Sequence, residues 1–139
     1  MKHQSTTPSM LDDVAEFHRT VLQLEDTPGP TIVSDVFAIE RFRFMTEELE
    51  EFLDSAIKAD IVGTADALAD IIYVALGTAH QMGLPFQAIW EHVHRANMRK
   101  VKGDTKRGNK VDAMKPEGWV PPEAGIAALT LEQINATDS

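Results

Sequence analysis

Cysteine is absent from the 139 residues, which excludes a disulfide framework, a thiolate metal site and a cysteine nucleophile. Positive charge is scarce: thirteen Lys and Arg face 22 Asp and Glu, and the net charge of -9 argues against a general nucleic-acid binder. The opening MKHQSTTPSMLDD lacks the apolar h-region of a signal peptide, and no apolar run reads as long enough to span a bilayer. The expectation is a cytoplasmic protein with neither membrane nor nucleic acid among its partners. Alternating strand patterns, internal repeats and low-complexity tracts are likewise missing.

What remains is 43% hydrophobic, enough for one core in a single domain spanning 1–139. The charge is unevenly spread. Eight of the thirteen cations lie between Arg95 and Lys115, opposed there by Asp104 and Asp112 alone, a local charge of +6. The rest of the chain sets five cations against twenty acids, a charge of -15. An acidic body with one basic segment suits a ligand that brings cation and anion together, as a metal-bound phosphate does.

Helical periodicity predicts an all-α bundle of four to five helices. Leu11, Val14, Phe17, Val21 and Leu22 mark a first helix over 10–24, broken by EDTPGP, whose prolines cannot continue it. A long second helix is predicted over 32–59, with Ala38, Phe42, Met45, Leu49, Phe52, Leu53 and Ala56 as its core stripe. A third, TADALADIIYVALGTAHQM, starts after Gly63 with Thr64 as cap and is apolar nearly all round, as buried central helices are. Gly83 ends it, and Pro85 opens a fourth, PFQAIWEHVHRANMRK. The core thus covers about 10–100. An arm rich in Gly, Pro and Lys follows over 101–122, and a short helix and tail over 123–139.

The chemistry gathers on two helices. MTEELEEFLD places Glu47, Glu48, Glu50, Glu51 and Asp54 within eight residues, an arrangement that costs a helix stability through like-charge pairs. Glu47, Glu50 and Asp54 fall opposite the core stripe, while Glu48 and Glu51 lie on its flank. On the third helix Asp66 and Asp70 stand one turn apart. A first-turn acid such as Asp66 is favoured by the helix dipole, but Asp70 lies deeper among apolar residues, where a carboxylate needs a partner or a metal. Packing the two helices side by side brings Glu48, Glu51 and Asp70 to one point, an all-oxygen set suited to Mg²⁺ or Mn²⁺. Asn97 and Lys100, three apart on the fourth helix, offer phosphate contacts, with Arg95, Lys110 and Lys115 as helpers. Trp119 and Tyr73 admit two readings, stacking on a base or packing against the bundle.

The ordered set of EExxE at Glu47, Glu48 and Glu51, DALADIIYVALGTAHQMGL, EHVHRANMRK and KPEGW resembles the MazG-like all-α nucleoside triphosphate pyrophosphohydrolases, in particular the small bacterial and phage members related to phosphoribosyl-ATP pyrophosphohydrolase. The likeness covers roughly 14–122. It implies a bundle assembling as a homodimer or homotetramer that cleaves a nucleoside triphosphate to the monophosphate and pyrophosphate. It implies two or three Mg²⁺ or Mn²⁺ ions on Glu48, Glu51 and Asp70, with Glu47 activating the attacking water. Asn97 and Lys100 would hold the phosphates, and Lys110, Lys115 and Trp119 would close over the nucleotide. One position departs from the family's second motif, ExxD: Ala67 stands three residues before Asp70, and Asp66 is the nearest substitute ligand. A deoxynucleotide is the expected substrate, dGTP ahead of dUTP or dCTP. The alternative from another class is a non-catalytic helical adaptor that binds protein partners through the acidic face and basic arm.

Overall fold

A computed structural model describes residues 8–104 and 111–137. Six helices and one two-stranded sheet occur among them, in agreement with the expected all-α class. The chain divides into two compact units, Met1–Leu84 and Pro85–Ser139.

The first unit packs three helices: α1 (Met10–Thr20), α2 (Asp35–Ile57) and α3 (Ile61–Gln81). Ser9 and Asp12 close the start of α1 as a capping box, each side chain accepting from the other's backbone N–H at 3.2 and 2.9 Å. That bonding holds the Asp12 carboxyl below its ordinary value. Ser34 caps α2 by accepting from the Phe37 N–H. Helix α1 ends four residues short of expectation, leaving Val21, Leu22 and Leu24 exposed. The following segment is tied back locally. Arg19 donates twice to the Asp26 carboxylate at 2.8 and 2.7 Å, Thr27 donates to the Gln81 carbonyl, and the Thr31 N–H donates to the Met82 carbonyl.

The connection from α2 to α3 takes three residues, so the two helices run antiparallel as neighbours. Asp60, rather than Thr64, is the N-cap of α3: its carboxylate accepts from the Gly63 N–H at 3.0 Å, and the helix begins at Ile61. Asp66 is therefore in the second turn, beyond the first-turn dipole that would have explained it. Buried Ala67, Gly77 and Ala79 let the neighbouring helices approach α3 closely. Gly83 follows in the left-handed region at φ +65°, and a side chain there would collide with the Gly29 carbonyl.

The core stripe expected on α2 is displaced. The half-buried residues are Phe37, Arg41, Met45, Thr46, Glu48, Phe52 and Ser55, whereas Phe42 (67%) and Leu53 (57%) stand exposed, as do Ala38, Leu49 and Ala56. Within this unit α2 packs chiefly against α3, so one side of it is covered and the other is not. Similarly, α3 is not enclosed: 17% of its most apolar 18-residue window is buried. By length and composition alone α3 is apolar enough to cross a membrane, contrary to the expectation that no run qualifies.

The second unit contains α4 (Phe86–Met98), strands β1 (Val101–Gly103) and β2 (Asp112–Met114), and the short helices α5 (Glu123–Leu129) and α6 (Leu131–Thr137). The strands pair antiparallel with Val101 opposite Met114, Lys102 opposite Ala113 and Gly103 opposite Asp112. This hairpin gives the arm an order that three-residue strands are too short to announce by periodicity. Ile89 and Ala96 of α4 are buried, and α5 seats Gly125 against the His92 ring, where a larger residue would clash.

Candidate metal centre

The α2 and α3 pairing brings Glu48, Glu51 and Asp70 together, each offering a carboxylate oxygen within 4.8 Å of the others'. Seven residues carry the inward face of α2 from Arg41 to Glu48, almost two full turns. Glu48 consequently points at α3 between Met45 and Phe52, rather than flanking a stripe as the sequence suggested. Glu51, one turn on, remains exposed at the rim, and Asp70 is half-buried. Glu50 and Asp54 are exposed, and Asp54 pairs with Lys58 at 2.9 Å.

The electrostatics are unfavourable for the protein alone. Among the described residues, no lysine or arginine forms an ion pair with any of the three acids. One Glu48 oxygen, Oε2, is buried without a hydrogen-bond partner, a costly state for a carboxylate. Burial holds Glu48 above the ordinary carboxylate value, reinforced by the charges of Glu51, Asp70 and Asp66. An all-oxygen donor set with an orphaned buried oxygen fits a hard divalent cation.

Glu47 is exposed next to this centre on α2. Asp66 is exposed one turn before Asp70; it lies outside the triad but contributes to its negative field. Ala67 is 2% exposed, so the departure from ExxD is filled by packing. Tyr73 turns toward α1, its ring edge-on to Phe17 at 5.5 Å, and lines an apolar cavity of 330 Å³ with Val14, Ile72 and Leu76.

The basic residues form a second group, within the second unit. Trp119 Nε1 donates to the Ala96 carbonyl at 2.8 Å, pinning the indole to α4. The ammonium groups of Lys100 and Lys115 lie 5.5 and 5.0 Å from its ring centroid, in cation–π range. Asn97 is exposed in the last turn of α4 and accepts through its carbonyl from the Lys100 N–H. Lys110 lies outside the described residues.

Sequence reasoning passed over Arg41. Arg41 is half-buried on α2, donating to the Thr78 hydroxyl at 2.8 Å and the Val74 carbonyl at 3.0 Å. The available signal was its seven-residue spacing from Glu48, which repeats the helix face. His18 is 3% exposed with Nδ1 unpartnered.

The sequence profile of phosphoribosyl-ATP pyrophosphohydrolase matches residues 14–97. No curated protein matches the chain significantly.

Proposed function

The chain belongs to the phosphoribosyl-ATP pyrophosphohydrolase family, of the MazG-like superfamily, and on that premise we propose that it hydrolyses a deoxynucleoside triphosphate to the monophosphate and pyrophosphate. The observation that carries the reading is the carboxylate triad with its unpartnered Glu48 oxygen, inside the matched segment.

Glu48, Glu51 and Asp70 hold Mg²⁺ or Mn²⁺, with Asp66 adding negative charge beside them. When bound, the ions neutralise the phosphates and lower the pKa of coordinated water. Glu47, exposed beside the triad, takes the proton from the attacking water. The water oxygen bonds to the α-phosphorus, the bond from that phosphorus to the bridging oxygen breaks, and pyrophosphate leaves with that oxygen. Within the second unit, Asn97, Lys100 and Lys115 offer donors for phosphate oxygens and Trp119 a ring face for stacking. dGTP is the preferred substrate. The enzyme acts in the cytoplasm as a homodimer or homotetramer, an assembly supported by the exposed apolar stripe of Phe42, Leu49 and Leu53.

The test is a panel of NTPs and dNTPs incubated with Mg²⁺ or Mn²⁺, with separation of the phosphate products. Pyrophosphate with one NMP is expected, and Glu48→Gln should abolish it. Release of inorganic phosphate, or no cleavage with either metal, would overturn the reading.

A further inference from the structure

The first unit holds a cavity of 400 Å³ with mixed polar and apolar walls, among them His18, Glu25, Glu40, Arg41, Phe44 and His80. Its volume is in the range of small-ligand sites. Arg41 is anchored at its edge by the two bonds to Thr78 and Val74, and its guanidinium carbon lies 5.7 Å from the Phe44 ring centroid. Two of the five guanidinium N–H groups are thereby used. Among the described residues no carboxylate forms an ion pair with Arg41. His18, nine-tenths buried and more, lines the same cavity with an unpartnered ring nitrogen. Uncommitted buried polar groups of this kind call for a ligand that supplies their hydrogen bonds.

The chemistry of the lining selects among ligands. A bare anion would suit Arg41 but would be repelled by Glu25 and Glu40, which line the same space. A neutral planar heterocycle that presents acceptors to Arg41 and donors to a carboxylate satisfies both signs. Guanine does so: O6 and N7 accept together from a guanidinium, and N1–H with the N2 amine donates to a carboxylate. Adenine presents an amine where O6 would be, and cytosine and uracil lack the N7 acceptor.

Position agrees with chemistry. Arg41 and Glu48 are seven residues apart on α2, which places them on one face and separates them by about 10 Å along the axis. On α3 the partners run the other way, Asp70 beside Glu48 and Thr78 beside Arg41. A nucleotide whose phosphates meet the carboxylate triad would extend its base along this seam to Arg41.

We propose that this cavity is the base-recognition pocket and that it selects guanine, with Arg41 reading O6 and N7 and the Glu25 and Glu40 carboxylates accepting from N1–H and N2. The inference rests on the pyrophosphohydrolase reading for the placement of the phosphates. The experiment measures kcat/KM of the wild-type protein for dGTP, 7-deaza-dGTP, dITP, dATP and dCTP, and binding of the matching monophosphates by calorimetry. Removing N7 or the N2 amine should each lower kcat/KM and affinity about tenfold, as loss of one well-formed base contact does. Arg41→Lys, which keeps the charge without the fork, should compress the ratio of dGTP to dATP and dCTP, mainly through KM. Equal turnover of dGTP and 7-deaza-dGTP, a preference for dCTP, or an unchanged base ratio in Arg41→Lys would overturn the proposal. Selective binding of dGMP without cleavage of any triphosphate would support the pocket and remove the hydrolase reading. Cleavage of all dNTPs alike would do the reverse.

Discussion

Replacing Glu48 by Gln should stabilise the metal-free protein, because it removes a partly buried charge from a cluster that has no paired cation among the described residues. At 4.8 Å, the widest separation in the triad, two unit charges repel by about 0.9 kcal/mol at the dielectric of water and about 3.5 kcal/mol at an effective dielectric of 20. Glu51 is exposed and the other two acids are half-buried, which puts each repulsion near the lower figure. Two removed repulsions amount to about 2 kcal/mol, reduced toward 1 kcal/mol by salt. For a chain of this length that is a rise in Tm of about 3 to 8 °C. The gain depends on pH with a definite sign. Folding raises the Glu48 pKa above 4.5, so the native state holds that proton more tightly than the unfolded chain, and the charged form is what destabilises. The advantage of the variant is therefore full at neutral pH and vanishes as pH falls below about 4.5. Mn²⁺ should reverse the order, since a ligand present at a hundred times its Kd stabilises the native state by about 2.7 kcal/mol and Glu48→Gln forfeits a ligand. Thermal melts of both proteins, with chelator and with Mn²⁺, across pH 4 to 8, measure all of this. A lower Tm for the metal-free variant, or an equal Mn²⁺ shift in both proteins, would refute the reasoning.

Three further outcomes follow from other parts of the structure. Gly83→Ala forces a side chain into left-handed backbone at φ +65° and against the Gly29 carbonyl, so it should destabilise by more than about 1 kcal/mol in denaturant titrations. His18 is held below its ordinary 6.5 by burial, then by the charges of His80 and Arg41; the unfolded chain thus binds the proton more readily. Native stability should fall as pH drops below 6.5, and His18→Gln should remove that part of the slope in melts between pH 5 and 8. Leu53→Glu places a charge on the exposed stripe of α2; if that stripe joins copies of the chain, sedimentation should show an oligomer for wild type and a monomer for the variant.

The helices were legible because their signals are local. Apolar spacing, the break at EDTPGP, and Gly83 with Pro85 each act within a turn or two, and α2, α3 and α4 appear within a few residues of where those signals place them. Their ends were less legible: Asp60 and Thr64 are both competent caps, and which is used depends on how tightly α2 returns into α3. The hairpin of the arm escaped notice because three-residue strands carry no readable period.

The acidic triad was readable because carboxylates at i,i+3 on one helix and a buried-looking aspartate on the next have few other uses. The faces were not. Sequence spacing made Ala38, Phe42, Met45, Leu49, Phe52, Leu53 and Ala56 the inner stripe of α2, since an apolar stripe is normally the buried one. In the fold Met45 and Phe52 do turn inward, in a row with Arg41 and Glu48, while Ala38, Phe42, Leu49, Leu53 and Ala56 are left exposed. The spacing of apolar residues gives the direction of a stripe but not what will cover it.

By itself, the sequence determined the all-α class, the family and the residues of the carboxylate cluster, because periodicity and motif order are properties of the chain. Only the tertiary structure decided that Glu48 turns inward with an unpartnered oxygen, that Asp66 stays outside, and that Arg41 and His18 share a cavity. Those outcomes depend on how α2 is rotated against α3, and that rotation is fixed by contacts between residues distant in sequence.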